Sequence, residues 1–263
     1  GDGEELLFFD DEEADIPGFS EEKTEDGSAD TAFLSWKESN VVPQTQSGFN
    51  FVSITVPQGD LIPEQFRGLA TIARTKSSHR LRTTPEQNLM LRWVRDCDLY
   101  SMYQDLKGIG LEEGNVNNIT DTTSCPGTDT CKLGITSSMG VNRAISTALK
   151  NPNGHSHLLE DPLIKGMHVK MSGCPNGCGR HHVADIGFHG AAMQTTGGNQ
   201  LPAYELLVGG SYENADLRYG QRVKGRVPAK MVPDITFKIL EFYKNHRELN
   251  EPFKEFVQRV GKE

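Results

Sequence analysis

A chain of 263 residues with 36% hydrophobic content has room for one large unit or two small ones. Its mean hydropathy is −0.50, and it holds no apolar run of about 18 residues, so nothing in it reads as a transmembrane helix. The net charge of −9 is uneven: residues 1–48 carry 14 Asp and Glu against Lys23 and Lys37, while the rest carries 22 acidic and 25 basic residues. A body so close to neutral gives no support for nucleic-acid binding.

Residues 1–48 read as an acidic, largely unstructured tail, with Leu7, Phe8 and Phe9 as a possible short docking arm. The N-terminus has neither a basic region nor an apolar stretch, so it does not read as a secretory signal. It lacks a Met, as a processed chain or a piece cut from something longer would. From Phe51 to Val56 the chain alternates and is β-branched, which predicts a strand. Ile62, Phe66, Leu69, Ala70 and Ala73 then fall at helical spacing over residues 62–75. Two short strands over 80–84 and 88–93 flank a turn at Pro85-Glu86, and a helix over 95–106 follows. The order β-α-β-β-α is that of a ferredoxin-like unit, placed at residues 49–110. Cys97, on its last helix, is expected to be a small core side chain.

Residues 111–263 are expected to form an α/β unit with a mixed sheet, giving an α+β chain as a whole. A Gly, Asn, Asp and Thr-rich loop precedes a helix predicted over 132–149. Strands are expected over 167–171, 184–189, 204–209 and 221–227, with a short helix over 179–183 between the first two. Pro233 opens a C-terminal helix whose apolar set is Ile235, Ile239, Leu240 and Phe242.

The chemistry sits in four of the five cysteines. Cys125 and Cys131 form one close pair, Cys174 and Cys178 another. The number is too small for a disulfide scaffold, and the pairing points to metal and to a reducing, cytoplasmic-type compartment. Four thiolates are what a [4Fe–4S] cube needs, one for each iron. Both pairs lie among Gly and Pro, which lets backbone N–H groups approach cluster sulfur. Cys131 and Cys178 are each expected to open a helix, where a thiolate is favoured. A structural zinc site is the alternative, but zinc pairs are usually closer in sequence than Cys125 and Cys131.

The segment Ser172-Gly173-Cys174-Pro175-Asn176-Gly177-Cys178-Gly179-Arg180, behind the Cys125/Cys131 pair, resembles the siroheme-dependent sulfite and nitrite reductase family. The stretch Thr84-Pro85-Glu86-Gln87-Asn88 resembles the end of that family's repeated half-domain. The resemblance covers about residues 49–260. It implies a [4Fe–4S] cluster held by Cys125, Cys131, Cys174 and Cys178, with Cys178 also the proximal ligand of the siroheme iron and the catalytic link between the two cofactors. It implies siroheme-binding roles for Gln87, Asn88, Arg82, Asn176, Lys132 and Arg180, with Lys170 a further nearby cation. The histidines, His181 and His182 included, are expected to be structural or supporting.

In such enzymes a small inorganic anion, sulfite or nitrite, needs a cluster of cations, which the resemblance places mainly in a first half before Phe49. This chain has only its acidic tail there. The expectation is therefore the C-terminal half of a reductase, incompetent alone and completed by an N-terminal half or partner subunit. Ferredoxin is the first choice of electron donor, a separate flavoprotein the second, because no nicotinamide or flavin motif is present. The competing expectations are a cluster-only electron-transfer module and a zinc-stabilised interaction domain.

Overall fold

The structure, a computed structural model, describes residues 27–212 and 216–261. The proposed arm at Leu7–Phe9 and most of the acidic tail lie outside them. The chain divides into two compact units at Val116/Asn117.

The first unit begins earlier than composition suggested. Thr31–Asn40 is a helix, α1, and Val41–Pro43 a strand, β1. Asp30 caps the helix, its Oδ1 accepting from the N–H groups of Ala32 and Phe33, both at 3.0 Å. The acidic residues here hide a small apolar face. Phe33 and Trp36, three positions apart, are both buried and their rings lie 6.0 Å apart. Residues 31–43 are thus part of the fold, a correction to the tail of residues 1–48.

The rest follows the expected order: β2 (Phe49–Ile54), α2 (Pro63–Lys76), β3 (Leu81–Thr83), β4 (Leu89–Arg95) and α3 (Leu99–Gly108). The sheet runs β1-β2-β4-β3, antiparallel throughout. On β2 every second residue is buried, so Val52 and Ile54 face the helices. Pro63 pre-sets the first turn of α2, and Gln65 Oε1 accepts from Ile62 N–H at 3.1 Å to close its entry.

Cys97 is a second correction. It is exposed, in a short 3-10 turn over Asp96–Asp98, and does not belong to the core. The buried stripe of α3 is Leu99, Met102, Tyr103 and Leu106, and Cys97 precedes its first turn. An ion pair between Arg95 Nε and Asp98 Oδ2 at 2.5 Å spans the turn.

The second unit is a mixed sheet ordered β10-β8-β7-β6-β5, built from β5 (Thr123–Ser124), β6 (Val169–Ser172), β7 (Ile186–Gln194), β8 (Gln200–Val208) and β10 (Val227–Pro228), with β9 (Gln221–Arg222) on β8. Strands β5, β6 and β7 are parallel, and β7 and β8 form a long antiparallel hairpin. The strand predicted over 221–227 is therefore two fragments. On one face the core gathers Met171 and Phe188 with Ile145 and Leu149 of α4 (Ser138–Lys150) and Phe237 and Leu240 of α6 (Val232–His246). Alternation sends Lys170, Ser172, His189 and Glu205 to the other face. Two helices were not anticipated, α5 (Pro162–Lys165) and α7 (Phe253–Val260). No helix of the described residues is long and apolar enough to cross a membrane.

Candidate cluster site

Two of the four cysteines sit at the carboxyl ends of neighbouring parallel strands, where open α/β sheets place their ligands. Cys125 follows Ser124, the last residue of β5, and Cys174 lies two residues beyond Ser172, the last of β6. Both are buried, whereas Cys131 and Cys178 are exposed on the loops that follow. Cys125 continues the pairing of its strand, its N–H donating to Met171 O at 3.2 Å. Ser138 Oγ, 3.5 Å from the Cys125 sulfur, gives its proton to Cys125 O at 2.6 Å, and Gly173 N–H donates to Cys125 Sγ at 3.0 Å. Hydrogen bonds of this kind draw negative charge from a thiolate and favour its iron-bound form.

The two loops are laced together through Gly173. Its carbonyl accepts from the N–H groups of Ile135 at 2.8 Å and Thr136 at 3.1 Å. A Cβ on Gly173 would stand 2.5 Å from Gly127 Cα and 2.7 Å from Thr136 O. Only glycine lets the backbones approach this closely.

The same lacing corrects two helix expectations. Cys131 does not open a helix: α4 starts at Ser138, because Ile135 and Thr136 give their N–H groups to the other cysteine loop. Cys178 opens none either. Gly179 N–H donates to Ser172 Oγ at 3.0 Å, Arg180 takes a left-handed conformation at φ 56°, and only a 3-10 turn over His181–Val183 follows. No thiolate therefore draws on a helix N-terminus here.

Among the described residues no group of three or more His, Cys, Asp or Glu is placed to hold a metal ion. A tetrahedral zinc would need its thiolates within about 2.3 Å of one centre. A cube gives each thiolate its own iron, so its four donors stand further apart, on loops whose backbone supplies N–H groups to sulfur. The chemistry of the donor set, thiols on two interlaced, glycine-lined loops with a backbone N–H on the Cys125 sulfur, is of the kind a cube takes.

The other anticipated residues are spread over both units. In the first, Arg82 is half-buried on β3 and Gln87 occupies a left-handed position at φ 67°. Asn88 is buried, and its Oδ1 accepts from Val56 N–H at 2.9 Å, so it ties the turn that presents Gln87 to the end of β2. In the second, Asn176 and Lys132 are exposed beside the cysteines. Arg180 lies over the Tyr212 ring at 5.4 Å. Lys170 is buried, with Nζ 3.4 Å from Thr123 Oγ1 and 4.9 Å from the Tyr212 ring centre.

Sequence reasoning missed the weight of His181. It is fully buried, its ring tilted against that of His182 at 3.9 Å and 5.0 Å from that of His189. Nδ1 is 2.9 Å from Ser172 Oγ. Burial, with the neighbouring His182 and His189, pushes its pKa down to about 3. Burial also raises the Tyr204 phenol to about 12, so it stays protonated and donates to Ser137 O at the entry to α4. Cys97 is exposed in the first unit and is left out of the ligand assignment. Cys97→Ser is expected to leave iron and sulfide content unchanged on reconstitution, and loss of the cluster would overturn the ligand assignment.

Two family models match: the nitrite and sulphite reductase 4Fe-4S domain over residues 115–263, and the nitrite/sulfite reductase ferredoxin-like half domain over residues 42–109. The chain is 28% identical to a ferredoxin–nitrite reductase of Synechococcus elongatus, over 76% of this chain and 37% of the relative. It is 23% identical to a sulfite reductase (ferredoxin) of Mycobacterium tuberculosis, over 83% of this chain and 39% of the relative. Among solved structures, Mycobacterium tuberculosis NirA superposes with a TM-score of 0.72 at 24% identity, covering 85% of this chain and 40% of that one, a likeness of fold. The chain thus spans somewhat over a third of the length of the curated relatives it matches.

Proposed function

The chain belongs to the nitrite and sulphite reductase 4Fe-4S domain family, and from that premise we propose that it is the cluster- and siroheme-binding half of a sulfite or nitrite reductase. The observation that carries this reading is the lacing of the two cysteine loops at the ends of β5 and β6, with Gly173 N–H on the Cys125 sulfur. Cys125, Cys131, Cys174 and Cys178 would hold the cluster, and Cys178 would also ligate the siroheme iron. Arg82, Gln87, Asn176, Lys132 and Arg180 would meet siroheme carboxylates as charge-assisted or amide donors. Asn88 serves the same site by shaping the turn beneath Gln87.

When bound, the two cofactors supply single electrons to a small inorganic anion, in a six-electron reduction of sulfite to sulfide or of nitrite to ammonia. The chain itself supplies positioning and electrostatics. Gly173 N–H stabilises a thiolate, the buried strand ends fix Cys125 and Cys174, and the glycine contacts keep the loops from drifting apart. The cations that bind the anion are assigned to the family's other half, as further sequence or a partner subunit. A ferredoxin donor is favoured by the names of the relatives above, with a flavoprotein as the other choice. Five cysteines, none in a disulfide among the described residues, suit a reducing compartment such as the cytoplasm.

Anaerobic reconstitution tests the reading. It is expected to give about four irons and four sulfides per chain, and siroheme absorbance when the other half is added. Cys125→Ser should abolish iron retention. One zinc with no iron or sulfide would sink the proposal, and a cluster that never accepts siroheme would leave a plain electron-transfer module.

A further inference from the structure

We propose that Ser172 and His181 form a positioning pair that pins the Cys178 turn to the end of β6. What the pair does for catalysis rests on the reading of Cys178 as the shared ligand; the pinning itself rests on geometry alone. Ser172 is the last residue of β6 and is buried. Its Oγ meets Gly179 N–H at 3.0 Å on one side and His181 Nδ1 at 2.9 Å on the other. A hydroxyl can accept and donate at once. With the ring proton on Nε2, a chain runs one way: Gly179 N–H to Ser172 Oγ, and Ser172 O–H to His181 Nδ1.

Three further features hold the arrangement. Arg180 N–H donates to Gly177 O at 2.7 Å, closing a turn around Cys178. The His181 carbonyl lies so close to Gly187 that any Cβ there would overlap it. His181 Nε2 is buried with no hydrogen-bond partner among the described residues. A buried, half-satisfied imidazole is costly to keep, and its other nitrogen is used on Ser172.

The two cysteines of this loop are held by different means. Cys174 follows Gly173, which is fixed by Cys125 Sγ, Ile135 and Thr136. Cys178 precedes Gly179, which is fixed to Ser172. Loss of the pair should therefore free Cys178 and leave the first half of the loop in place. It should also leave Cys131, on the other loop, as it was.

The test uses the full chain without cluster. Gly179 amide exchange and the alkylation rates of Cys178 and Cys131 are followed in Ser172→Ala, His181→Leu and His181→Asn. The carboxamide of asparagine can replace the Nδ1 contact. Ser172→Ala and His181→Leu are expected to speed Gly179 exchange and Cys178 alkylation about tenfold, the effect of one lost hydrogen bond. Cys131 should be unchanged, and His181→Asn should return both rates to within about twofold of the parent. If Cys131 speeds up alongside Cys178, the variants only loosen the unit and the proposal falls. It falls too if neither cysteine responds. In the reconstituted chain, the reduced cluster's magnetic resonance spectrum should broaden in the two loss variants and recover in His181→Asn. If the parent chain takes up no iron, the reductase reading fails, while the alkylation rates still decide the pair.

Discussion

Replacing Gly173 by alanine is expected to cost about 3 kcal/mol of stability and to abolish cluster retention. The new methyl would meet backbone on both sides, Gly127 Cα at 2.5 Å and Thr136 O at 2.7 Å, so no side chain can rotate away. Relief requires the two cysteine loops to part, and overpacking of this kind costs about 1–3 kcal/mol or more. Parting the loops also strains the Gly173 N–H bond to Cys125 Sγ and the bonds from Ile135 and Thr136, so binding suffers beyond the loss of stability. Gly108→Ala is the control: it closes α3, and nothing lies within 4 Å of its missing Cβ. That change should be neutral or stabilising by a few tenths of a kcal/mol. Urea unfolding of the cluster-free chains, with iron counts after reconstitution, separates the two. Equal behaviour of Gly173→Ala and Gly108→Ala would remove the argument that the loops are locked by backbone contact.

What was legible in the sequence follows from which signals are local. The β-α-β-β-α order could be read because period two in Phe51–Val56 and helical spacing in Ile62–Ala73 each reside in one short window. The four cysteines could be read because thiols, Gly and Pro stand together within each loop. Helix α1 was missed although Phe33 and Trp36 carry its signal, because the charge of the surrounding residues outweighed two aromatic positions. The helix after Cys131 was placed too early for a different reason. Residues 132–137 lack a breaker strong enough to exclude a helix, and what excludes it is Gly173 O, about 40 residues away in sequence. Ser172 and His181 illustrate the same limit. A serine ending one strand and a histidine nine positions later have no spacing signature; only the return of the chain past Gly179 brings them together.

The buried His181 also makes the second unit acid-sensitive in a defined window. Its folded pKa of about 3 lies below the ordinary 6.5, so the fold holds the ring neutral while the unfolded chain takes up a proton first. The contribution is complete above about pH 6.5 and is lost as pH falls from there toward 3. Between pH 7 and pH 5 the loss should be about 2 kcal/mol, each pH unit below the unfolded value being worth about 1.4 kcal/mol. Carboxylates enter lower down: hydrogen bonding to Arg259 holds Glu251 near 2, and Asp161 is also depressed, partnered by Arg247 against the opposing effect of burial. Their contribution is complete above the ordinary carboxylate range and is lost as pH falls from there toward their lower folded values, beneath the window of the imidazole. The upper window therefore belongs to the imidazole. In the cluster-free chain, His181→Asn should lose about 2 kcal/mol less than the parent between pH 7 and pH 5. Parallel pH profiles for the two would mean that His181 is solvated in solution, and the buried ring that anchors Ser172 would have to be abandoned with it.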